Sequence, residues 1–237
     1  MRVLALDTAT EACSVALLTD AGLIGRFREM PRGHAEEVLG MVDAVLAEAG
    51  CTLSSLDGIA ASIGPGAFTG VRIAVSVAQG LAFGAGLPAV GVSTLEALAA
   101  QAQRGGAEVV LACLDARMGE VYFGWFGADA RYGVVALAPP AVGNPQSLTV
   151  PPGLAGQVIH GIGRGFRAYS ILSALPGLVL RPGASEALPD ARDMARLGAQ
   201  RLMLGAGVDP ADLTPLYLRD KVALTELERR AQRPAPE

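Results

Sequence analysis

Histidine is nearly absent from this chain. Among 237 residues there are two, His34 and His160, on different predicted elements in different halves. They cannot supply the paired imidazoles on one helix face that a histidine metal site uses. Cysteine is as sparse: Cys13, Cys51 and Cys113 are an odd number at wide spacings among small apolar neighbours. That pattern fits neither a disulfide framework nor a zinc cluster, and the three read as packed thiols. Charge is low at 18%, with a net −4 that gives no global attraction for nucleic acid. No basic run stands out except Arg229-Arg230. Gly, Pro or charge interrupts every apolar stretch before it reaches bilayer length, so no membrane span is expected. The N-terminus reaches Asp7 too soon for a secretory signal, and a cytoplasmic location is expected. There is no Gly-Lys-Ser/Thr of a P-loop and no Gly-x-Ser-x-Gly nucleophile elbow.

What the chain has in plenty is apolarity: 51% hydrophobic residues and a mean hydropathy of +0.39. Such a composition describes a compact globular protein with apolar surface to spare, and so a protein partner. Short apolar runs at Val3 to Leu6, Cys13 to Leu18 and Leu23 to Arg28 predict an antiparallel trio of strands. His34 to Ala49 has helical spacing with one apolar face, closed by Gly50. A strand over Leu56 to Ser62 runs into Gly64-Pro65-Gly66 and a helix over Val71 to Phe83, for which Thr69 is the expected N-cap. A strand at Pro88 to Val92 and a helix at Thr94 to Gln103 follow.

After Arg104-Gly105-Gly106 the pattern restarts. Strands are predicted over Val109 to Leu114, Glu120 to Phe126 and Val158 to Ile162. Helices are predicted over Phe166 to Ala174 and Asp190 to Leu204, with Pro139 to Gly156 as an extended loop. The expectation is a duplicated α/β architecture of the actin-like class, βββαβαβα in each half with a cleft between them. Its domains are 1–104 and 105–230, the second degenerate, with a polar, proline-rich tail over 231–237.

Several stretches now resemble a known family. Leu4-Ala5-Leu6-Asp7-Thr8-Ala9-Thr10, Cys13 to Leu17, Ile63 to Arg72, Gly91 to Leu95 and Pro215-Leu216-Tyr217-Leu218-Arg219 are similar to signatures of the bacterial TsaB (YeaZ) family. The resemblance implies an accessory role in forming N6-threonylcarbamoyladenosine on tRNAs that read codons beginning with adenine. It implies binding to the catalytic paralogue TsaD, with the ATPase TsaE joining the complex and tRNA reached through it. A homodimer is implied in TsaD's absence, and ATP and metal belong to the partner subunits rather than to this chain. TsaD-like proteins carry two histidines four residues apart, where this chain has Thr94 and Leu98. Leucine has no donor atom and a neutral hydroxyl is a poor ligand for transition metals.

The residues themselves suggest vestigial nucleotide turns. Asp7, Thr8 and Thr10 sit where actin-like ATPases contact phosphate. The favoured reading is that Asp7 and the hydroxyls brace the turn, since Glu11 adds negative charge there. Gly64 and Gly66 form the tight turn before the long helix, a geometry that suits anions at the helix N-terminus. Here it is read as a retained structural turn that launches the helix. Asp115 marks the second-half counterpart, and Gly161 and Gly163 resemble an adenosine-contacting loop.

The helix after the turn has little polar face, so both of its sides need cover. Gly70, Ala74 and Ala78 are small and four apart, and with Val77, Leu81, Val38, Val42 and Val45 they are the expected partner interface. Packing within the chain's own domain is the competing explanation. The expected function is a non-catalytic scaffold. The alternatives are a stand-alone actin-like ATP-dependent transferase and a peptidase-like enzyme.

Overall fold

The structure, a computed structural model, describes residues 1–219; Arg229-Arg230 and the expected tail at 231–237 lie outside them. Strands β1 (Val3–Asp7), β2 (Ala12–Thr19), β3 (Gly22–Glu29), β4 (Gly58–Ser62) and β5 (Ala89–Val92) form one sheet, in the order β3-β2-β1-β4-β5. β1 pairs antiparallel with β2 (Leu6 opposite Val15) and parallel with β4 (Ala5 opposite Ala60). Every residue of β1 and β4 is buried, as expected of strands covered on both faces. The second sheet holds β6 (Val109–Arg117), β7 (Glu120–Asp129), β8 (Gly133–Gly143), β9 (Ile159–Ile162) and β10 (Leu178–Leu180). Its order, β8-β7-β6-β9-β10, repeats that of the first. The duplicated, actin-like α/β architecture is present.

Helix α1 spans His34–Ala49 as predicted, and the left-handed Gly50 closes it through its amide to Ala47 O. Helix α2 spans Phe68–Ala85, beginning three residues before the predicted start. Thr69 is not its cap. Ala67 holds that position, and its N–H donates to Ala9 O at 2.7 Å. A tertiary contact therefore sets where α2 begins. Helix α3 (Thr94–Arg104) starts on a capping box in which Ser93 and Glu96 satisfy each other's backbone donors.

Other expectations need correction. Pro139 to Gly143, read as loop, belongs to β8, which tolerates Pro139-Pro140 because it is an edge strand. The helix expected over Phe166 to Ala174 breaks at Tyr169 into a single α-turn, α4 (Gly165–Ala168), and a 3-10 turn.

The halves do not pack separately. α5 (Ala191–Met203) is the last helix of the second half, yet it lies on the first sheet, while α3 of the first half lies on the second sheet. One core joins Val3, Ala5 and Ala60 to Leu95, Leu98, Val110 and Met194 across the two helices. The boundary expected at 104/105 thus separates the sheets but not the core. Polar links reinforce the exchange. Arg201 of α5 pairs with Glu96 of α3 at 2.7 Å and donates to Gly91 O. Arg104 of α3 pairs with the buried Asp193 of α5.

The outer face of the first sheet is covered by α1 and α2. Leu4, Leu6 and Val15 pack there against Val38, Val42, Val45, Ala74 and Ala78. Five expected interface residues are therefore core. Gly70 is buried as well, under the β1–β2 turn, and only Val77 and Leu81 keep partial exposure. The small residues of α2 serve close approach to the sheet, which is the competing explanation weighed from sequence.

Candidate functional site

A cavity of about 710 Å³ opens between the halves. The first half contributes the β1–β2 turn, the start of α1 and the Gly-Pro-Gly turn with the first residues of α2. The second contributes the β6–β7 hairpin and the segment around Arg164 and Arg167. Leu216 to Arg219 line its mouth.

The two glycine-rich elements of the first half are locked to each other. Ala67 N–H donates to Ala9 O, and Thr8 Oγ1 donates to Gly70 O at 2.7 Å. A Cβ on Gly66 would overlap the Ala9 carbonyl, and one on Gly70 the Thr8 carbonyl. These glycines let backbone approach backbone. In a phosphate cradle, amides would point at an open anion position; here the Ala67 amide is taken by a carbonyl of the same chain. Thr94 N–H donates to Gly64 O, and its hydroxyl donates to Pro65 O at 2.6 Å, which ties α3 to the same turn. Leu98 is fully buried in the shared core.

Of the predicted turn residues, Thr8, Thr10, Gly66 and Asp115 line the cavity, whereas Asp7, Gly64, Gly161 and Gly163 do not. Asp7 is fully buried beneath the turn, where its Oδ1 accepts the Ala9 N–H at 2.9 Å. Thr10 Oγ1 accepts the Ala12 N–H. Asp115 accepts from Arg117 N and Tyr169 Oη and pairs with the Arg117 guanidinium. Its hairpin turns through Met118 and Gly119, both with positive φ, as a two-residue turn requires. Gly161 packs against Leu180 and Phe166, and Gly163 against the Cys113 carbonyl. Both glycines admit close packing at the end of β9.

Sequence reading missed the cations. Arg164 crosses the cleft to Glu29 at 2.7 Å, and Arg117 reaches Glu11 at 3.4 Å. Glu11, in the β1–β2 turn, is thus paired with arginines of the second half. Arg219, in the late Pro-Leu-Tyr-Leu-Arg stretch, donates to Ala116 O and pairs with Glu120. Leu216 N–H donates to Ile63 O at 2.7 Å, so this segment straps one half to the other. Only a signal of topology could have brought these residues together, and spacing along the chain carries none.

Burial raises the Asp7 pKa to about 6, against the opposing pull of Ser62 and the Ala9 amide. Burial also lifts Asp193 to about 6, with Arg104 pulling it back. The folded state then binds these protons more tightly than the unfolded chain does. Each carboxylate costs stability above pH 6, a cost relieved as pH falls toward 4. Asn at position 7 keeps the acceptor for Ala9 without the charge. Asp7→Asn should therefore gain stability on the wild type between pH 5 and 8, by up to about 3 kcal/mol. Urea unfolding across that range checks it, and an equal pH slope in both proteins would contradict it. Burial likewise pushes the Cys13 thiol up to about 11, in keeping with a packed rather than a reactive thiol.

Residues 28–160 match the family model of tRNA N6-adenosine threonylcarbamoyltransferase, TsaD. The tRNA threonylcarbamoyladenosine biosynthesis protein TsaB of Escherichia coli is 42% identical, over 96% of this chain and 98% of its own. TsaB of Haemophilus influenzae is 35% identical, over 97% and 98%. The solved structure of YeaZ from Pseudomonas aeruginosa superposes with a TM-score of 0.84 at 41% identity, covering 92% of this chain and 99% of that one. The chain belongs to the TsaB (YeaZ) family.

Proposed function

We propose that this chain is the non-catalytic scaffold and activator of the complex that forms N6-threonylcarbamoyladenosine on tRNAs reading codons that begin with adenine. It does so by binding TsaD. The observation that carries this reading is the closed turn. The Gly-Pro-Gly element donates its Ala67 amide to Ala9 O and packs Gly66 and Gly70 onto backbone carbonyls, so that this amide is not offered to an anion. Thr94 and Leu98, in place of the paired histidines, are engaged by the turn and the core. ATP and metal then belong to TsaD and TsaE, and tRNA is reached through the assembly in the cytoplasm.

The docking face is the outer side of α1 and α2. Leu39 and Phe83 are exposed there, the latter by 81%, beside Gly40, Ser76, Gly80 and Gly84. A Cβ on Gly40, Gly80 or Gly84 meets nothing within 4 Å. From Ser76 to Gly84 the exposed stripe of α2 is small or apolar, and it suits the close approach of another helix. Without TsaD the same face pairs two copies of this chain.

One solved relative is titled for similarity to peptidase YeaZ. A peptidase reading finds little support here, because no serine or cysteine lines the cavity among the described residues. Calorimetric titration of the purified chain with ATP and magnesium separates scaffold from enzyme. The scaffold reading predicts no magnesium-dependent binding. Tight binding followed by turnover without partners would overturn it.

A further inference from the structure

The exposed stripe of α2 is not uniform along its length. Phe68, Arg72, Ser76, Gly80 and Gly84 recur every four residues and are all exposed. Such a row is the ridge that meshes with a partner helix. Arg72 is the single charged residue of α2, and among the described residues it pairs with no carboxylate. Rings hold it instead. Its guanidinium lies 3.3 Å from the Phe68 centroid and 5.5 Å from that of Tyr217 in the strap. Phe68 is 58% exposed and Tyr217 50%, so this stack stands at the surface.

The strap is fixed to the first half, so the stack is set before any partner arrives. Gln79 Nε2 of α2 donates to Leu213 O at 3.0 Å, and Leu216 N–H donates to Ile63 O at 2.7 Å. A ring 3.3 Å away takes up one face of the guanidinium. The N–H donors lie in the guanidinium plane and stay free, and a carboxylate matches them with two parallel bonds. The neighbours narrow the choice of acceptor. Ser76, Gly80 and Gly84 carry no charge, and α1 alongside exposes Glu36 and Asp43. A nucleic-acid backbone would find one cation there and two repelling carboxylates. A helix with one carboxylate among small apolar residues suits the whole stripe.

We infer that Arg72, braced by Phe68 and Tyr217, is the specificity anchor of the docking face and takes a carboxylate from a helix of TsaD. The inference rests on the docking face proposed above and extends it onto the strap. Calorimetric titration of TsaD into the chain and its variants tests it. Arg72→Ala should weaken binding about thirtyfold, as loss of an arginine hot spot does. Arg72→Lys keeps the charge but not the planar fork, and should remain about fivefold weaker than wild type. Tyr217→Ala should weaken binding about fivefold through loss of the ring. Added salt should weaken the wild-type complex more than that of Arg72→Ala.

Both side chains are at the surface, so the variants should keep the wild-type circular dichroism and urea midpoint. Gly80→Arg, in the middle of the same stripe, separates the two readings. If it loses TsaD while Arg72→Ala binds as wild type, the inference is overturned and the docking face stands. If both bind as wild type, the face itself is misplaced and the inference goes with it. Full affinity in Arg72→Lys overturns the stacked anchor, since a point charge would then suffice. An equal salt dependence in wild type and Arg72→Ala overturns the carboxylate. A change in self-association alone, with TsaD affinity intact, would give the anchor to a second copy of this chain and overturn the inference as well.

Discussion

Gly70→Ala is expected to lower the stability of the chain by about 3 kcal/mol, as overpacking against backbone does. The added Cβ would overlap the Thr8 carbonyl, and Thr8 cannot swing aside, since its own hydroxyl donates to Gly70 O. The loss is read by urea unfolding, with the single, buried Trp125 as the fluorescent probe. Gly84→Ala on the same helix is the control. Its Cβ meets open space, and it should gain up to about 1 kcal/mol from helix propensity. The pair separates two roles for the turn. If it locks backbone to backbone, Gly70→Ala loses stability. If it cradles phosphate, the same change spares stability and removes nucleotide binding.

Gly80→Arg should have the opposite character. The chain stays folded, because nothing lies within 4 Å of the new Cβ and glycine is the poorer helix former. Affinity for TsaD should fall about a hundredfold or more, because a long charged side chain is forced into an apolar, closely packed contact. Calorimetric titration of TsaD with the variant measures the loss, and circular dichroism confirms the fold. Ala74→Arg is a poor probe of the same face. Ala74 is fully buried against the first sheet, so that substitution would destroy the core before it reported on a partner. Wild-type affinity in Gly80→Arg would move the interface off the outer side of α1 and α2.

Much of the architecture was legible because its signals are local. The βββαβαβα order of the first half follows from short apolar runs and from the helical periodicity of α1, whose ends are set by Gly33 and Gly50. β8 was hidden because Pro139-Pro140 is compatible with a strand only at a sheet edge, and edge position is a property of topology. The exchange of α3 and α5 was hidden for the same reason. Both are amphipathic helices of ordinary pattern, and nothing in that pattern says which sheet they cover.

The facing of α2 was the costliest ambiguity. A helix apolar on nearly every side does not announce which stripe is inside. Gly70, Ala74 and Ala78 suit a sheet beneath as well as a helix outside, and the structure places them against the sheet. At the cleft, the favoured reading of Asp7 as a brace agrees with its bond to Ala9. The arginines that cross the cleft were unreadable, since Arg164 and Glu29 lie in different halves and meet only through the fold.

Threonylcarbamoyl transfer to tRNA by TsaD and TsaE, assayed with and without this chain, tests the central claim most directly. The scaffold account predicts efficient transfer only when the chain is present, and loss of that stimulation with Gly80→Arg. Asp7→Asn, buried beneath a closed turn, should stimulate as the wild type does. Equal transfer in the absence of this chain, or transfer by this chain without TsaD, would contradict it.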